Sequence, residues 1–460
     1  MDELEEAAGV LGHVGDVKDE FKGLVKNRDF MKLFWAQLIS CMGDWMGTFA
    51  LMSVVFKMTH GSSLAVGGML AFRVVPALFS GPLAAVISDR LDRRKLMIAC
   101  DLLRGGIILA APFLTTLWSL YTMLFFLEGL SIIWLAARDA SIPNLVKPDQ
   151  LTMANSLSMA TTYGVIPFAA GTFSMLVFPS PILGHLAAGS FLAKHPTVIA
   201  FGLDSLTFFV SASFFYRMHL SSPRDHVEEK ESLNIISSVT FALRHPLARS
   251  LLIGAAMGCV GGGSLYAVGI GYVRDVLHAR SDAAFGLLMA LFGLGMIVGV
   301  VALQVLVKRE EKPWMLRIAL LVTGGILMGM SFVHIAVLAY ILAAFFGAAF
   351  GILFIIAVQM VQEGVADEDR GKAFAAFHAV TRIFLILGAG LSGAIAGLFG
   401  VRQINVLGLH YTLYGISIAL FVAGVLIASV SVIPLGEKKN SYREYFARRT
   451  VKVAPGMEDD

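Results

Sequence analysis

The sequence predicts an all-α polytopic membrane protein, with twelve transmembrane helices arranged as two pseudo-symmetric six-helix bundles. Three observations carry this. Of 460 residues, 57% are hydrophobic and 15% charged, and the mean hydropathy is +0.75. Soluble domains carry about 25% charged residues, so this surplus of apolar side chains needs lipid as its solvent. Apolar windows of about 20 residues, the length that crosses a bilayer, recur along the whole chain. The third observation is an internal repeat at an offset of about 218 residues: ISCMG at 39–43 faces MGCVG at 257–261, the loop after the second window faces KREEK at 308–312, and VKPDQ at 146–150 faces VADED at 365–369. Each match is weak alone, and the shared offset is the argument.

The windows place spans at 33–58, 64–88, 96–116, 119–139, 151–178, 198–220, 247–273, 283–307, 314–333, 335–361, 373–399 and 405–433. Thr59–Ser63 and Thr115–Thr116 are short enough to make spans one and two, and spans three and four, antiparallel neighbours. Between spans two and three, Asp89 to Lys95 reads DRLDRRK, four cations and two carboxylates in seven residues, which cannot enter hydrocarbon and must form a turn at one face. Span five carries Pro167, which kinks it. Residues 179–197, rich in Pro, Gly and His, read as an outer loop with room for an interfacial helix. Residues 221–246 are polar and mixed in charge, as befits a linker between halves. The chain thus divides into an N-terminal segment (1–32), a bundle (33–220), the linker (221–246), a second bundle (247–433) and a basic tail (434–460).

Lys and Arg in short loops set the orientation. One face has about eleven (Arg90, Arg93, Arg94, Lys95, Arg138, Lys147, Lys308, Arg309, Lys312, Arg370, Lys372) and the other about five (Lys57, Lys194, Arg274, Arg280, Arg402). The richer face, with both termini, is expected in the cytoplasm of a cell whose plasma (inner) membrane holds the chain. The acidic N-terminus is no secretory signal, so the first span is expected to act as the insertion signal. A net charge of +3 does not suggest nucleic acid as a partner. Cys41, Cys100 and Cys259 all fall in apolar segments, which argues against disulfides or zinc, and the eleven histidines show no metal-ligand spacing. No metal or cofactor is expected.

Several patterns imitate enzymes. Gly388 to Gly393 spells G-x-G-x-x-G, but no strand or βαβ unit surrounds it, so it reads as helix packing. The pairs Gly295/Gly299, Gly347/Gly351 and Gly393/Gly397 support close helix approach. Gly364 to Lys372 lacks the spacing of a phosphate loop, and Ala373 replaces the needed hydroxyl. No nucleophile sits in a base arrangement, so no enzymatic activity is expected.

Intramembrane ionisable residues are functional candidates by default. Asp44 lies about 17 Å into span one at 1.5 Å per residue, and Arg73 lies about as deep in span two. Glu128 of span four falls near the midplane, and Arg382 of span eleven somewhat nearer the cytoplasm. Asp44 and Glu128 read as proton or cation-substrate sites with Arg73 setting their proton affinity. A permanent Asp44–Arg73 salt bridge is an equally open reading. Arg382 suits a helix-end cap or a wet cavity, and His378 is a minor pore candidate.

Asp89-Arg90 followed by Arg93-Arg94 resembles the G-x-x-x-D-R-x-G-R-R signature of the major facilitator superfamily, with Ala85 and Asp92 replacing its two glycines. The likeness covers roughly residues 30–433. Gly43-Asp44-Trp45, GPLA before the turn and PNLVKPDQLTMANSL after span four are more similar to a branch of macrolide-efflux proteins and the enterobactin exporter. The resemblance implies a conformational latch. Asp89 would meet the start of span eleven near Lys372–Phe374, whose helix dipole favours a carboxylate, and Arg90 or Arg93 would meet Asp139, with Arg94 a further member of the latch. Gly164, Pro167 and Gly171 match the superfamily's antiporter motif only in part.

The expectation is therefore a secondary transporter working by alternating access, with a cavity between spans one, two, four, five, seven, eight, ten and eleven. Its cargo would be a small amphipathic molecule exported against inward proton flow. Cavity-lining candidates are Phe49, Tyr163, Phe168, Tyr266 and Tyr272. One rival is a lysophospholipid-like transporter of the same fold, which a lateral opening between spans two and eleven or five and eight would favour. The other is a non-transporting sensor or scaffold, using the basic tail at 440–452, which otherwise suits anionic lipid. A monomer is expected.

Overall fold

The computed structural model describes residues 21–147, 150–178, 196–220, 235–306, 312–365, 367–406 and 409–431. In chain order the helices are α1 (Arg28–Met58), α2 (Ser63–Arg90), α3 (Arg93–Leu109), α4 (Leu117–Leu145), α5 (Leu151–Tyr163), α6 (Ile166–Val177), α7 (Pro196–Tyr216), α8 (Ile235–Arg244), α9 (Pro246–Gly271), α10 (Ala283–Leu306), α11 (Lys312–Ser331), α12 (Ala336–Gly364), α13 (Asp367–Phe399) and α14 (Gly415–Val430). Among the described residues nine helices are long and apolar enough to cross a membrane, and Ser63–Pro76, Ile166–Val177 and Gly415–Val430 are shorter apolar helices. Nine and three make the twelve passes, with α5 and α6 sharing span five across a break at residues 164–165.

Local chemistry explains the boundaries. Asn27 accepts from the Phe30 N–H at 3.1 Å, capping α1, and its amide donates to the Leu145 carbonyl at 2.6 Å, tying that start to the end of α4. Ser62 caps α2 and Thr116 caps α4 in the same manner. Asp92 accepts from the Lys95 N–H at 3.1 Å as the N-cap of α3. The residue that departs from the glycine of the signature therefore supplies a cap that glycine lacks. His245 and Pro246 start α9.

Two elements differ from the sequence expectation. Span twelve begins at Gly415, and the preceding stretch is an antiparallel hairpin, β1 (Val401–Val406) with β2 (Leu409–Tyr414), in which Val401 pairs Tyr414. Apolar content alone cannot separate a strand rich in Val, Ile, Tyr and Thr from the start of a span. Gly400, at φ +53°, turns the chain from α13 into this hairpin. Within the expected linker, residues 235–244 form α8, which packs on α9 and α13 with Ala242 buried beside Leu252 and Phe377. The loop at 179–195, the rest of the linker at 221–234 and the tail from 432 lie outside the described residues.

Packing repeats between the halves. Span one packs on span six as seven does on twelve; two on four as eight on ten; three on six as nine on twelve; three on four as nine on ten. Across the halves, α6 packs on α10 and α2 on α13, contacts that exchange when the halves are swapped. Glycines let these backbones approach: a Cβ at Gly67 would lie 2.8 Å from the Ala389 carbonyl oxygen, and one at Gly393 equally close to the Leu64 Cα. Gly286 meets Ala170 and Gly293 meets Pro167 in the same way. These cross-half contacts all fall in the half of the bundle away from the basic turn at 90–95, here called the far half. That end is closed.

Candidate functional site

A polar pocket lies between spans one, two, three, four and six, lined by Asp44, Gly47, Thr48, Leu51, Arg73, Ile108, Leu124, Leu127, Glu128 and Asp204. Its volume is about 10 Å³, room for about one water. Arg73 is its hub. One Nη is 2.5 Å from Asp44 Oδ2, Nε is 3.5 Å from Glu128 Oε2, and the other Nη donates to Thr48 Oγ1. Thr48 in turn donates to the Asp44 carbonyl at 2.7 Å. The guanidinium lies 5.5 Å from the centre of the Trp45 ring, whose Nε1 donates to the Thr162 carbonyl at 3.3 Å. Spans one, two and four, and the kinked span five, thus meet around one cation. Arg382 of α13 acts on Glu128 electrostatically from the other half.

The pocket is wet on one side only. The side chains of Asp44 and Glu128 are 36% and 22% exposed, whereas Asp204 is 2% exposed. Sequence reasoning passed over Asp204, and also Asp101 and Arg104 of α3. The signal was available, because each is an ionisable residue inside an apolar span. Asp101 and Arg104 form a buried pair closed by Ser211 Oγ, which donates to Asp101 Oδ2 at 2.6 Å, and by Ser131, 3.2 Å from Arg104. Arg104 also stacks over Phe208 and Trp134 at 4.4 and 5.2 Å. That cluster pins spans three, four and six through the two Nη groups of Arg104, while its Nε has no partner among the described residues.

The aromatic candidates are distributed differently from expectation. Phe168 shares with Met175 the face of α6 turned from the core and is 59% exposed, so it does not line the pocket. Tyr272 opens a π-helical turn at Tyr272–Val276, is fully buried, and donates to the carbonyls of Met330 and Val333, which makes it a core residue of the second half. Phe49 and Tyr266 sit in the seam between halves: Phe49 packs edge-on against Phe285 at 6.0 Å, and Tyr266 stacks on Trp45 at 6.2 Å. The side chain of Tyr163 lies outside the described set.

At the basic turn, Arg93 donates to the Ala140 carbonyl at 2.7 Å, next to Asp139, while Asp139 itself takes the guanidinium of Arg138 at 2.5 Å. Arg94 donates to the Phe215 carbonyl at 2.9 Å and to that of Tyr216, serving as a cation at the C-terminal end of α7. Arg90 is exposed, and the Asp89 side chain lies outside the described set.

A second ionic cluster stands at the far end. Asp282, between α9 and α10, is 2.5 Å from Lys57 Nζ and accepts from Ser53 Oγ, both on α1, and from Arg274 Nε at 2.8 Å. Burial pushes the Asp282 carboxyl up, but Lys57, Ser53 and Arg274 outweigh it and hold it below the usual carboxylate range. A lowered value means the cluster is complete above the ordinary Asp value and is lost only as pH falls through the lowered one. Closure of the far face is therefore expected to be insensitive to pH from neutral down to about pH 4, read by thiol accessibility there; opening in mildly acidic buffer would contradict it.

The family model described as Major Facilitator Superfamily matches residues 33–389 and 276–452. The chain belongs to the Major Facilitator Superfamily. It is 26% identical over 461 residues to the uncharacterized MFS-type transporter YfiS of Bacillus subtilis (strain 168), covering 95% of this chain and 100% of that one. The putative bacilysin exporter BacE of Bacillus amyloliquefaciens is 26% identical over 82% of this chain and 92% of its own. The fold is similar to a point mutant of the nucleoside transporter NupG (TM-score 0.69, 11% identity, 91% and 99% coverage). It is also similar to a bacterial homolog of the human lysosomal transporter Spinster, inward-facing and unoccupied (TM-score 0.67, 14% identity, 94% and 100% coverage). As a superfamily member, the chain is a multi-pass membrane transporter of small molecules and not an enzyme.

Proposed function

We propose that this transporter exports an amphipathic small molecule in exchange for protons, with the basic turn and both termini in the cytoplasm of the plasma membrane. The observation that carries the reading is one arginine shared by two partly exposed carboxylates on different spans. Rocking of the halves changes which carboxylate Arg73 neutralises, and the one released takes a proton. Lys and Arg counts support an orientation with the sealed end outside, in which this conformation faces inward. Likeness to the putative bacilysin exporters supports export. The resemblance further supports a cytoplasmic latch built on Asp89, Arg90, Arg93, Arg94 and Asp139, released as the halves separate at that end.

Growth profiling of a deletion strain against dyes, antibiotics and siderophores identifies the cargo class. In inverted vesicles, Glu128→Gln is expected to reduce pH-gradient-driven ethidium efflux to the level of empty vesicles while expression is retained. Wild-type rates in that variant would remove Glu128 from the mechanism.

A second reading has one observation in its favour. A 470 Å³ cavity is bounded by α2, α4 and α13 and lined largely by apolar groups, including Leu64, Ala65, Ala71, Leu117 and Ile386. An acyl chain fits such a groove between spans two and eleven, as a lysophospholipid-like cargo requires. Transfer of a fluorescent lysophospholipid between leaflets, with ethidium efflux absent, would decide for it.

A further inference from the structure

The strongest unexplained feature is Asp204. It lies in α7, is 2% exposed, and reaches the pocket that holds Arg73. Its carboxyl rests on α1 where two glycines leave room: a Cβ at Gly43 would be 2.8 Å from Oδ1, and one at Gly47 would be 2.1 Å from Oδ2. These glycines stand four residues apart on either side of Asp44, so the helix that carries one acid also seats the other.

No donor serves Asp204 Oδ1 among the described residues. The nearby hydroxyls are committed elsewhere. Thr207 Oγ1 donates to the Asp204 backbone carbonyl at 2.6 Å, Ser205 Oγ to the Gly105 carbonyl at 2.8 Å, and Thr48 Oγ1 to the Asp44 carbonyl at 2.7 Å. Arg104 spends its two Nη groups on Asp101 and Ser131 while its Nε reaches no acceptor among the described residues, Asp204 included, and Arg73 is held by Asp44 and Glu128. Ionising a carboxyl one of whose oxygens is buried and served by no donor costs free energy that the neutral acid avoids.

Charge counting agrees. The groups that face Asp204 are Asp44 on α1, Arg73 on α2, Asp101 and Arg104 on α3, and Glu128 on α4, with Arg382 acting on Glu128 from α13. Asp101 and Arg104 cancel. Three carboxylates (Asp44, Glu128, Asp204) then face two guanidiniums (Arg73, Arg382), which leaves one negative charge too many. A single proton removes it, and Asp204 is the group without a partner.

We propose that Asp204 is a second proton-binding residue of the transport cycle, protonated in this conformation and passing its proton to Asp44 when Arg73 moves away. In that step the O–H bond on Asp204 breaks and one forms on an Asp44 carboxyl oxygen. The charge goes from Asp44 to Asp204, and Arg73, still protonated, turns to the new carboxylate. The inference rests on the proton-coupled reading for its role, though not for the protonation itself.

Infrared spectroscopy of the full-length protein in detergent at neutral pH tests it. A protonated-carboxyl C=O stretch, sensitive to heavy water, is expected in the wild type, shifted by carboxyl-¹³C aspartate labelling and lost in Asp204→Asn but kept in Asp139→Asn, which lies at the basic turn and outside the pocket. The labelling arm needs no variant to fold: absence of any aspartate-derived band overturns the proposal, as does a band that survives in folded Asp204→Asn. If the band behaves as expected while ethidium efflux ignores the pH gradient, proton-coupled export fails and the protonated Asp204 stands. If efflux is gradient-driven and the band is missing, this inference alone fails.

Discussion

Asp282→Ala is expected to unseal the far face and move the transporter toward a conformation open at that end. Asp282 draws Lys57 and Ser53 of α1 and Arg274 onto one buried carboxylate. Around it, Ser174 Oγ donates to the Ala283 carbonyl at 2.7 Å and Ser281 Oγ to that of Val177 at 3.3 Å, so a single loop closes against spans one and five. Removing one member of a buried pair costs about 3–5 kcal/mol when the other charge is left dry. Here Lys57 and Arg274 keep 45% and 30% of their side chains exposed and would rehydrate. A net effect of about 2 kcal/mol, roughly thirtyfold in the ratio of closed to open states, is therefore the expectation. The reporter is Ser174→Cys in a background with Cys41, Cys100 and Cys259 replaced, labelled by a membrane-impermeant thiol reagent. Faster labelling in the Asp282→Ala variant supports the gate, and equal rates would reduce Asp282 to a local brace.

What could be read from the sequence follows from the physics of each signal. Burying backbone in lipid demands helices of a minimum length, so twelve passes were visible in composition alone. Their ends were not, because a helix continues past hydrocarbon as long as caps and polar residues support it: α1 starts at Arg28 instead of 33, and α13 at Asp367 instead of 373. Depth arithmetic brought Asp44 and Arg73 to one level, and the structure joins them with Glu128 around one pocket. Asp204 could not be matched that way, since its seat is made by the absence of side chains at Gly43 and Gly47, which no count of charges detects. Tyr272 looked like a cavity residue, but it is buried with its hydroxyl spent on the Met330 and Val333 carbonyls of the second half. Glycine spacing was similarly ambiguous. A Cβ at Gly388 would lie 2.3 Å from the Val260 carbonyl oxygen, as helix packing requires, whereas Gly397, in an equally persuasive pair, has nothing within 4 Å.

That ambiguity yields the largest stability effect expected in the chain, at Gly347. Along the α10–α12 seam, a Cβ at Gly295 would lie 1.9 Å from the Ala344 carbonyl oxygen, one at Gly299 2.2 Å from that of Ala348, one at Gly347 1.9 Å from that of Phe292, and one at Gly351 2.6 Å from that of Met296. The obstacles are backbone carbonyls, which cannot swing aside like a side chain. Gly347→Ala must therefore separate two helices along a seam whose attraction in lipid is close contact itself, with no hydrophobic drive to compensate. Overpacking in cores costs about 1–3 kcal/mol, and rigid obstacles on a seam four glycines long place this case at or above the upper end. Gly397→Ala is the matched control. It adds the same methyl group to open space, and its helix propensity alone would favour it by about 1 kcal/mol. Heating each purified variant in detergent and following the monodisperse fraction should show Gly347→Ala aggregating well below the wild type and Gly397→Ala at or above it. Equal stability of the two would mean that the seam between spans eight and ten is looser than its carbonyl distances require.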